Sequence, residues 1–354
     1  MKTGILTFPK AINYGAALQA TALSRVLSDR GADVSFVSHV NKATVSTSKV
    51  FDLSQITDIK YTIAHLINLG VAIKRKKKFT DFCNKNMKFG SANPCEYDIV
   101  VTGSDQVWNY NLTGNDWLFF LDYDKGNAKK VSYAASFGLS SVDEQYREKI
   151  AGFVNDIDYL SVREKTAAGI ISDISDKEAL VAVDPTLLLT KEQWSTYSDS
   201  KKSEGGYIFV YTLFNSDKIW EQAYKLSEKT GLPIKTVSYS RLHRQNAIYD
   251  FTAGPAQWLR YMLEADYVVT NSFHGVAFSI NFNKNFFFDM PPAKAGVGSR
   301  ISDITERYNL ASRNISAENF TFTTDAPDFT TANEKLSEDR KASFSFIDSF
   351  LDNK

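Results

Sequence analysis

Three short stretches carry side chains able to do chemistry together. In D-Y-V-V-T-N-S-F-H-G-V-A-F-S-I, from Asp266 to Ile280, a β-rich apolar run gives way to turn residues and then to a buried helical pattern. That order places His274 at the carboxyl end of a parallel strand and at a helix mouth whose first N–H groups are unpaired. Open α/β sheets bind ligands at that edge, and helix N-termini favour anions. The plainer reading is a histidine that only caps the helix. Gly275 argues for more, because it lets a ligand or another backbone come close.

The second stretch, V-V-T-G-S-D-Q-V-W-N from Val100 to Asn109, ends a short buried strand with Asp105, Gln106 and Trp108. A carboxylate and an amide beside an aromatic ring can hold sugar hydroxyls while the ring covers the apolar face of the sugar. The same residues also suit a turn in which Asp105 bonds its own backbone. The third stretch, Asn13-Tyr14-Gly15, enters a helix running to about Asp29. Its glycine loop is placed like a dinucleotide cradle but lacks the G-x-G-x-x-G spacing, so no nicotinamide or flavin site is expected. Ordinary loop and cap structure is the simpler account.

The elements that must position these residues alternate between β and helical patterns, which indicates an α/β protein with mostly parallel sheets. Strands are expected at 4–8, 34–38, 99–102, 130–134, 159–162 and 179–182, with helices at 16–29, 59–69, 72–85, 143–154 and 164–171. The polar stretch 191–206 is expected to link a first domain, 1–190, to a second, 207–332. The second has strands at 207–213, 234–237, 267–270 and 286–288 and helices at 217–230, 256–264 and 274–281. A last helix in 333–354 is able to cross back onto the first domain.

Composition narrows the partners. Lysine plus arginine and aspartate plus glutamate both total 41 over 354 residues, and a net charge of zero argues against a nucleic-acid binder. Cys83 and Cys95 form no C-x-x-C pair and no metal spacing, so neither a disulfide framework nor a zinc site is expected. Met1 leads directly into a strand and no apolar run reaches the roughly 18 residues of a membrane span, so the protein is expected in the cytoplasm. Lys74-Arg75-Lys76-Lys77-Lys78, with Phe79 and Phe82, reads as a solvated helix face. Peripheral docking on an anionic membrane is the alternative.

Several longer phrases carry a resemblance. G-I-L-T-F, N-Y-G-A-A-L-Q-A, G-S-D-Q-V-W-N, V-S-Y-A-A-S-F-G, S-V-R-E-K, V-D-P-T-L-L-L and T-N-S-F-H-G-V-A-F-S-I resemble the polysaccharide pyruvyl transferase family, in its order, from Thr3 to about Arg300. The resemblance implies two Rossmann-like domains facing a central cleft, similar to glycosyltransferase-B (GT-B) enzymes. It implies transfer of the enolpyruvyl group of phosphoenolpyruvate onto two hydroxyls of a saccharide, as a cyclic ketal, in surface polysaccharide biosynthesis. The partners would be phosphoenolpyruvate and a saccharide, free or lipid-linked, and no cofactor or metal is expected.

For that chemistry His274 is expected as general acid and Asp105 as the base or hydroxyl-orienting group. Arg163 of S-V-R-E-K and Arg300, on a glycine loop after Gly296-Val297-Gly298-Ser299, would hold phosphoenolpyruvate with Ser272 and Gly275. An ion pair of Arg163 with Glu164 or Asp184 is its plainer explanation. Asn13, Tyr14, Gln106 and Trp108 would line the acceptor side. Some family branches carry arginine where this chain has Ser272. A nucleotide-sugar glycosyltransferase is the alternative enzyme, though no E-x7-E pair marks it. A non-catalytic saccharide-binding or assembly protein is the alternative outside enzymes, and Ser272 is its best support.

Overall fold

Eleven strands among the described residues form two parallel sheets. The computed structural model describes residues 1–41, 43, 59–201, 206–237, 244–291 and 298–352, with backbone alone for 59–68. The first sheet contains β1 (Lys2–Leu6), β2 (Asp33–Phe36), β3 (Ile99–Thr102), β4 (Lys129–Ala135), β5 (Tyr159–Val162) and β6 (Leu180–Val181), in the order β2-β1-β3-β4-β5-β6. The second contains β7 (Ile208–Tyr211), β8 (Ile234–Val237), β9 (Ala247–Asp250), β10 (Tyr267–Thr270) and β11 (Asn285–Phe288), in the order β11-β10-β7-β8-β9. Central strands such as β3 and β7 are buried at every position, as strands covered on both faces must be.

Each sheet reverses its direction of winding once, between β1 and β3 and between β7 and β10. The carboxyl ends of those pairs are where a crevice opens in such sheets. Helix α1 (Tyr14–Ser28) starts at the first reversal, with Asn13 accepting from the backbone N–H of Ala16. At the second, Asn271 accepts from the N–H of Leu213 (2.8 Å) and donates to the carbonyl of Phe214 (2.7 Å), tying the two loops together.

The sheets are joined by a shared hydrophobic core. Tyr14 packs among Phe79, Tyr211 and Trp258, and its hydroxyl donates to the carbonyl of Ala253 at 3.0 Å. Helix α2 (Ile59–Asn86) is continuous where two helices were expected, because a single Gly70 costs a helix only about 1 kcal/mol. Its basic run is partly spent on the second sheet: Arg75 donates to the carbonyl of Phe251, and Lys78 to the Thr252 hydroxyl at 3.3 Å. Lys74, Lys76 and Lys77 are exposed.

The remaining helices are α3 (Tyr110–Thr113), α4 (Glu144–Asp156), α5 (Lys165–Ile174), α6 (Lys191–Ser195), α7 (Asp217–Thr230), α8 (Pro255–Glu264), α9 (Phe273–Asn281), α10 (Gly298–Arg307) and α11 (Thr330–Leu351). The stretch 191–206 is not a plain linker. Thr190 and Gln193 close a capping box on α6, Trp194 is fully buried, and the N–H of Asp199 donates to Ala256; residues 202–205 lie outside the described ones. Helix α11 lies against the first sheet through Ser343 on Val183, Phe346 on Tyr133 and Phe350 on Tyr159. Arg340 on the same helix reaches Asn281 of α9 at 2.8 Å. No helix among the described residues is long and apolar enough to cross a membrane.

Candidate active site

The strand ends deliver charged groups to one place. After β3, Gly103 adopts φ +110° and passes so close to β4 that a Cβ would lie 2.3 Å from the Tyr133 carbonyl. Asp105 then takes the left-handed conformation, φ 74°, which aspartate tolerates better than most residues. After β5 come Arg163 and Glu164, and after β6 comes Asp184. From the second sheet, the end of β10 supplies Asn271, the helix cap Ser272, and Phe273 and His274 in the first turn of α9.

Asp184 is the hub. One of its oxygens accepts from the Thr186 N–H (2.9 Å) and hydroxyl (2.7 Å), and the other from Arg163 Nη1 (2.8 Å) and Ser104 (3.1 Å). His274 Nε2 lies 3.7 Å from that second oxygen, across the domain boundary and beyond hydrogen-bonding distance. Burial alone would raise the Asp184 pKa, but His274, Arg163 and the Thr186 N–H outweigh it and hold the carboxyl well below the usual range. Asp184 is therefore an anion that fixes Arg163 from one domain and faces His274 from the other.

Five buried polar atoms here have no hydrogen-bond partner among the described residues: Arg163 Nε and Nη2, Glu164 Oε2, His274 Nε2 and Arg300 Nε. Buried polar atoms are nearly always satisfied, so a cluster of exceptions marks a place built for something else. Arg163 uses one nitrogen on Asp184 and keeps two, with Asp105 3.9 Å and Glu164 3.6 Å away. Burial works against its charge, yet Asp184, Glu164 and Asp105 raise its pKa. Arg300 has no ion pair within 4.0 Å among the described residues; burial and the neighbouring Arg163 lower its pKa to about 10, still charged at neutral pH. Both guanidinium groups lie near the ring of Phe273, at 4.6 and 5.7 Å. An anion between them would satisfy the unused N–H groups and relieve the repulsion.

Two cavities meet at Phe273 and Arg300. One, of about 550 Å³ with its mouth, lies between the domains and is lined by Asn13, Asp105, Gln106, Ser272 and His274. The other, of about 460 Å³, is lined by Arg163, Glu164, Asp184 and Asp303.

The structure thus gathers His274, Asp105, Arg163, Arg300, Ser272, Asn13 and Gln106, and removes three expected residues. Trp108 is fully buried, stacked on Phe120 at 5.4 Å and donating to the Phe119 carbonyl, so it belongs to the core. Tyr14 is the bolt between domains described above and does not line the cleft. Gly275 faces its own strand: a Cβ would lie 2.3 Å from the Thr270 hydroxyl, so the glycine serves helix packing. Arg300 stands in the first turn of α10, not on a glycine loop, and Gly296 and Val297 lie outside the described residues.

Other expected residues also keep a structural bond. Asp105 accepts from the N–H of Gln106 at 2.9 Å, Ser272 from the N–H of Gly275 at 3.4 Å, and Asn13 caps α1. Two contributors carried no expected role at this site. Phe273 was an unremarked part of its phrase. Gly15 meets the imidazole directly, since a Cβ there would sit 2.0 Å from His274 Nδ1.

The model of the family described as polysaccharide pyruvyl transferase matches residues 13–288, most of the chain and all of this cluster except Arg300. The chain belongs to the polysaccharide pyruvyl transferase family. No curated protein matches the sequence. Among solved structures, the UDP-GlcNAc 2-epimerase of Methanocaldococcus jannaschii is similar at 12% identity, with 96% of this chain and 92% of that chain covered and a TM-score of 0.50. A putative UDP-N-acetylglucosamine 2-epimerase from Listeria monocytogenes gives 10% identity, 98% and 90% coverage and a TM-score of 0.48. The E. coli heptosyltransferase WaaC with ADP gives 13% identity, 84% and 90% coverage and a TM-score of 0.39. At such identities the likeness concerns the fold, which is GT-B-like.

Proposed function

We propose that this pyruvyl transferase family member moves the enolpyruvyl group of phosphoenolpyruvate onto two hydroxyls of one saccharide, closing a cyclic ketal. The observation that carries the reading is the pair of buried guanidinium groups with unused N–H donors facing His274 and Asp105. Phosphoenolpyruvate offers a carboxylate and a phosphate, two anions on a small frame, and each can take a planar fork. Arg163 and Arg300 hold the donor in place of the arginine that Ser272 replaces, with the N–H groups at the start of α9 beside them.

His274 delivers a proton to the methylene carbon, which becomes the ketal methyl and leaves a cationic centre at C2. One sugar hydroxyl bonds to C2, the C2–O bond to phosphate breaks, and the second hydroxyl closes the ring. Two hydroxyl protons are released: one replaces that given by His274, and the other leaves with phosphate. Asp105 orients the attacking hydroxyl and accepts its proton, while Gln106 and Asn13 bond the sugar. We place the reaction in the cytoplasm, where phosphoenolpyruvate is made, and in surface polysaccharide assembly. A lipid-linked acceptor would bring the exposed Lys74, Lys76 and Lys77 to the inner membrane face.

The test is phosphate release from phosphoenolpyruvate in D₂O with saccharides bearing two free hydroxyls on adjacent carbons or on carbons one apart. The expected product gains the mass of pyruvate less water and carries deuterium in its methyl group. Consumption of a nucleotide sugar, with phosphoenolpyruvate inert across the panel, would replace this reading with glycosyl transfer.

A further inference from the structure

A third cavity, of about 640 Å³ with its mouth, lies in the first domain beyond the carboxyl ends of β1 and β2. The loop after β1 borders both this cavity and the cleft: Lys10 and Ala11 line the former and Asn13 the latter. Phe89, which is half-buried, and the fully buried Phe119 belong to its lining, together with His39 and Lys10.

His39 is held in one orientation. Its Nε2 lies 2.6 Å from Asp116, which also accepts from Asn41 at 2.8 Å and from the N–H of Leu118. Burial would raise the Asp116 pKa, but the bonds from His39 and Asn41 outweigh it, so the carboxyl is an ionised acceptor. Nε2 then donates to Asp116, which leaves Nδ1 as the ring's second hydrogen-bonding atom. No described residue donates to it. The ring is further set edge-on against Phe119 at 5.6 Å, and Phe119 is fixed through its carbonyl by Thr102 and Trp108. Lys10 Nζ lies 4.4 Å from the Phe89 ring centre and has no ion pair among the described residues.

The half-buried ring of Phe89, an oriented imidazole nitrogen and an ammonium donor fit a ring with an apolar face and an equatorial edge of hydroxyls. We propose that this cavity binds a pyranose unit of the acceptor chain, separate from the unit that receives the ketal. The enzyme then selects its substrate partly by a sugar it does not modify. Calling this sugar part of an acceptor rests on the pyruvyl-transfer reading; the binding itself does not.

The test is an array of bacterial polysaccharide fragments probed without phosphoenolpyruvate, using the wild type, Phe89→Ala, His39→Gln and His274→Ala, each checked for folding by circular dichroism. The wild type and His274→Ala should label the same glycans. Phe89→Ala and His39→Gln should each lose about tenfold or more of that binding, roughly the loss of one good stacking or hydrogen-bonding partner. The proposal is overturned if the wild type labels no glycan, or if folded Phe89→Ala and His39→Gln label them at wild-type strength. Labelling that survives while phosphoenolpyruvate proves inert would instead strike the pyruvyl-transfer reading and support the sugar site.

Discussion

Replacing Gly15 by alanine tests whether the position of the His274 ring matters. Gly15 is the second residue of α1 and has ordinary helical backbone, so alanine by itself would favour the helix by up to about 1 kcal/mol. The added Cβ would meet His274 Nδ1 at 2.0 Å and Cε1 at 2.4 Å, where ordinary contact begins at 3.4 Å. From 2.0 to 3.4 Å, the ring must retreat by about 1.4 Å, or the helices must part by as much. Overpacking of this kind costs about 1–3 kcal/mol, partly offset by the helix term, so the variant should fold. A misplacement near 1 Å can cost about 100-fold in rate, and that is the loss expected here in phosphate release. Calorimetric unfolding and steady-state phosphate release, run on the same preparation, separate the two effects. A Gly15→Ala enzyme with wild-type turnover would refute the assignment of His274 as an acid held against α1.

Other outcomes follow from the same cluster. Arg300→Met removes a buried cation that has no ion pair among the described residues, so stability should hold or rise; any stabilisation by phosphoenolpyruvate, about 2.7 kcal/mol at 100 times Kd, should vanish in thermal unfolding. Asp184→Asn removes the anion paired with Arg163 and should cost about 3–5 kcal/mol in denaturant unfolding. The pKa of Asp184 is depressed in the folded state, so its stabilisation is complete above the unfolded value near 3.8 and is lost as pH falls below it. The wild type should accordingly lose stability in acid faster than Asp184→Asn. Donor affinity needs protonated Arg300, so it should stay level through neutral pH and fall above about pH 10 in calorimetric titrations.

Much of the framework was legible because periodicity reports burial. The runs at 99–102, 159–162, 217–230, 234–237 and 267–270 occur as elements with those bounds. Strand β9 escaped notice because it is a short edge: Ala247–Asp250 has no buried residue and Ile248 is 55% exposed, so no apolar pattern marks it. Helix α6 had a signal, the T-x-x-Q capping box at Thr190, that the surrounding polar residues masked. The members of the cluster were legible where phrases end strands, as for Asp105, Arg163 and His274. Pairing across the molecule was not. Nothing local to Gly15 says that a histidine 259 positions later lies against it. Trp108 and Tyr14 were misjudged because a Trp or Tyr in a motif looks the same whether its ring faces a sugar or a core.

The most direct test of the cleft as a donor site is a calorimetric titration of phosphoenolpyruvate into the wild type and into Arg300→Met, without acceptor. Saturable binding to the wild type with one site per chain, lost in a folded Arg300→Met, is the result expected from two guanidinium groups waiting for an anion. No binding to the wild type, or equal binding to both proteins, would contradict it.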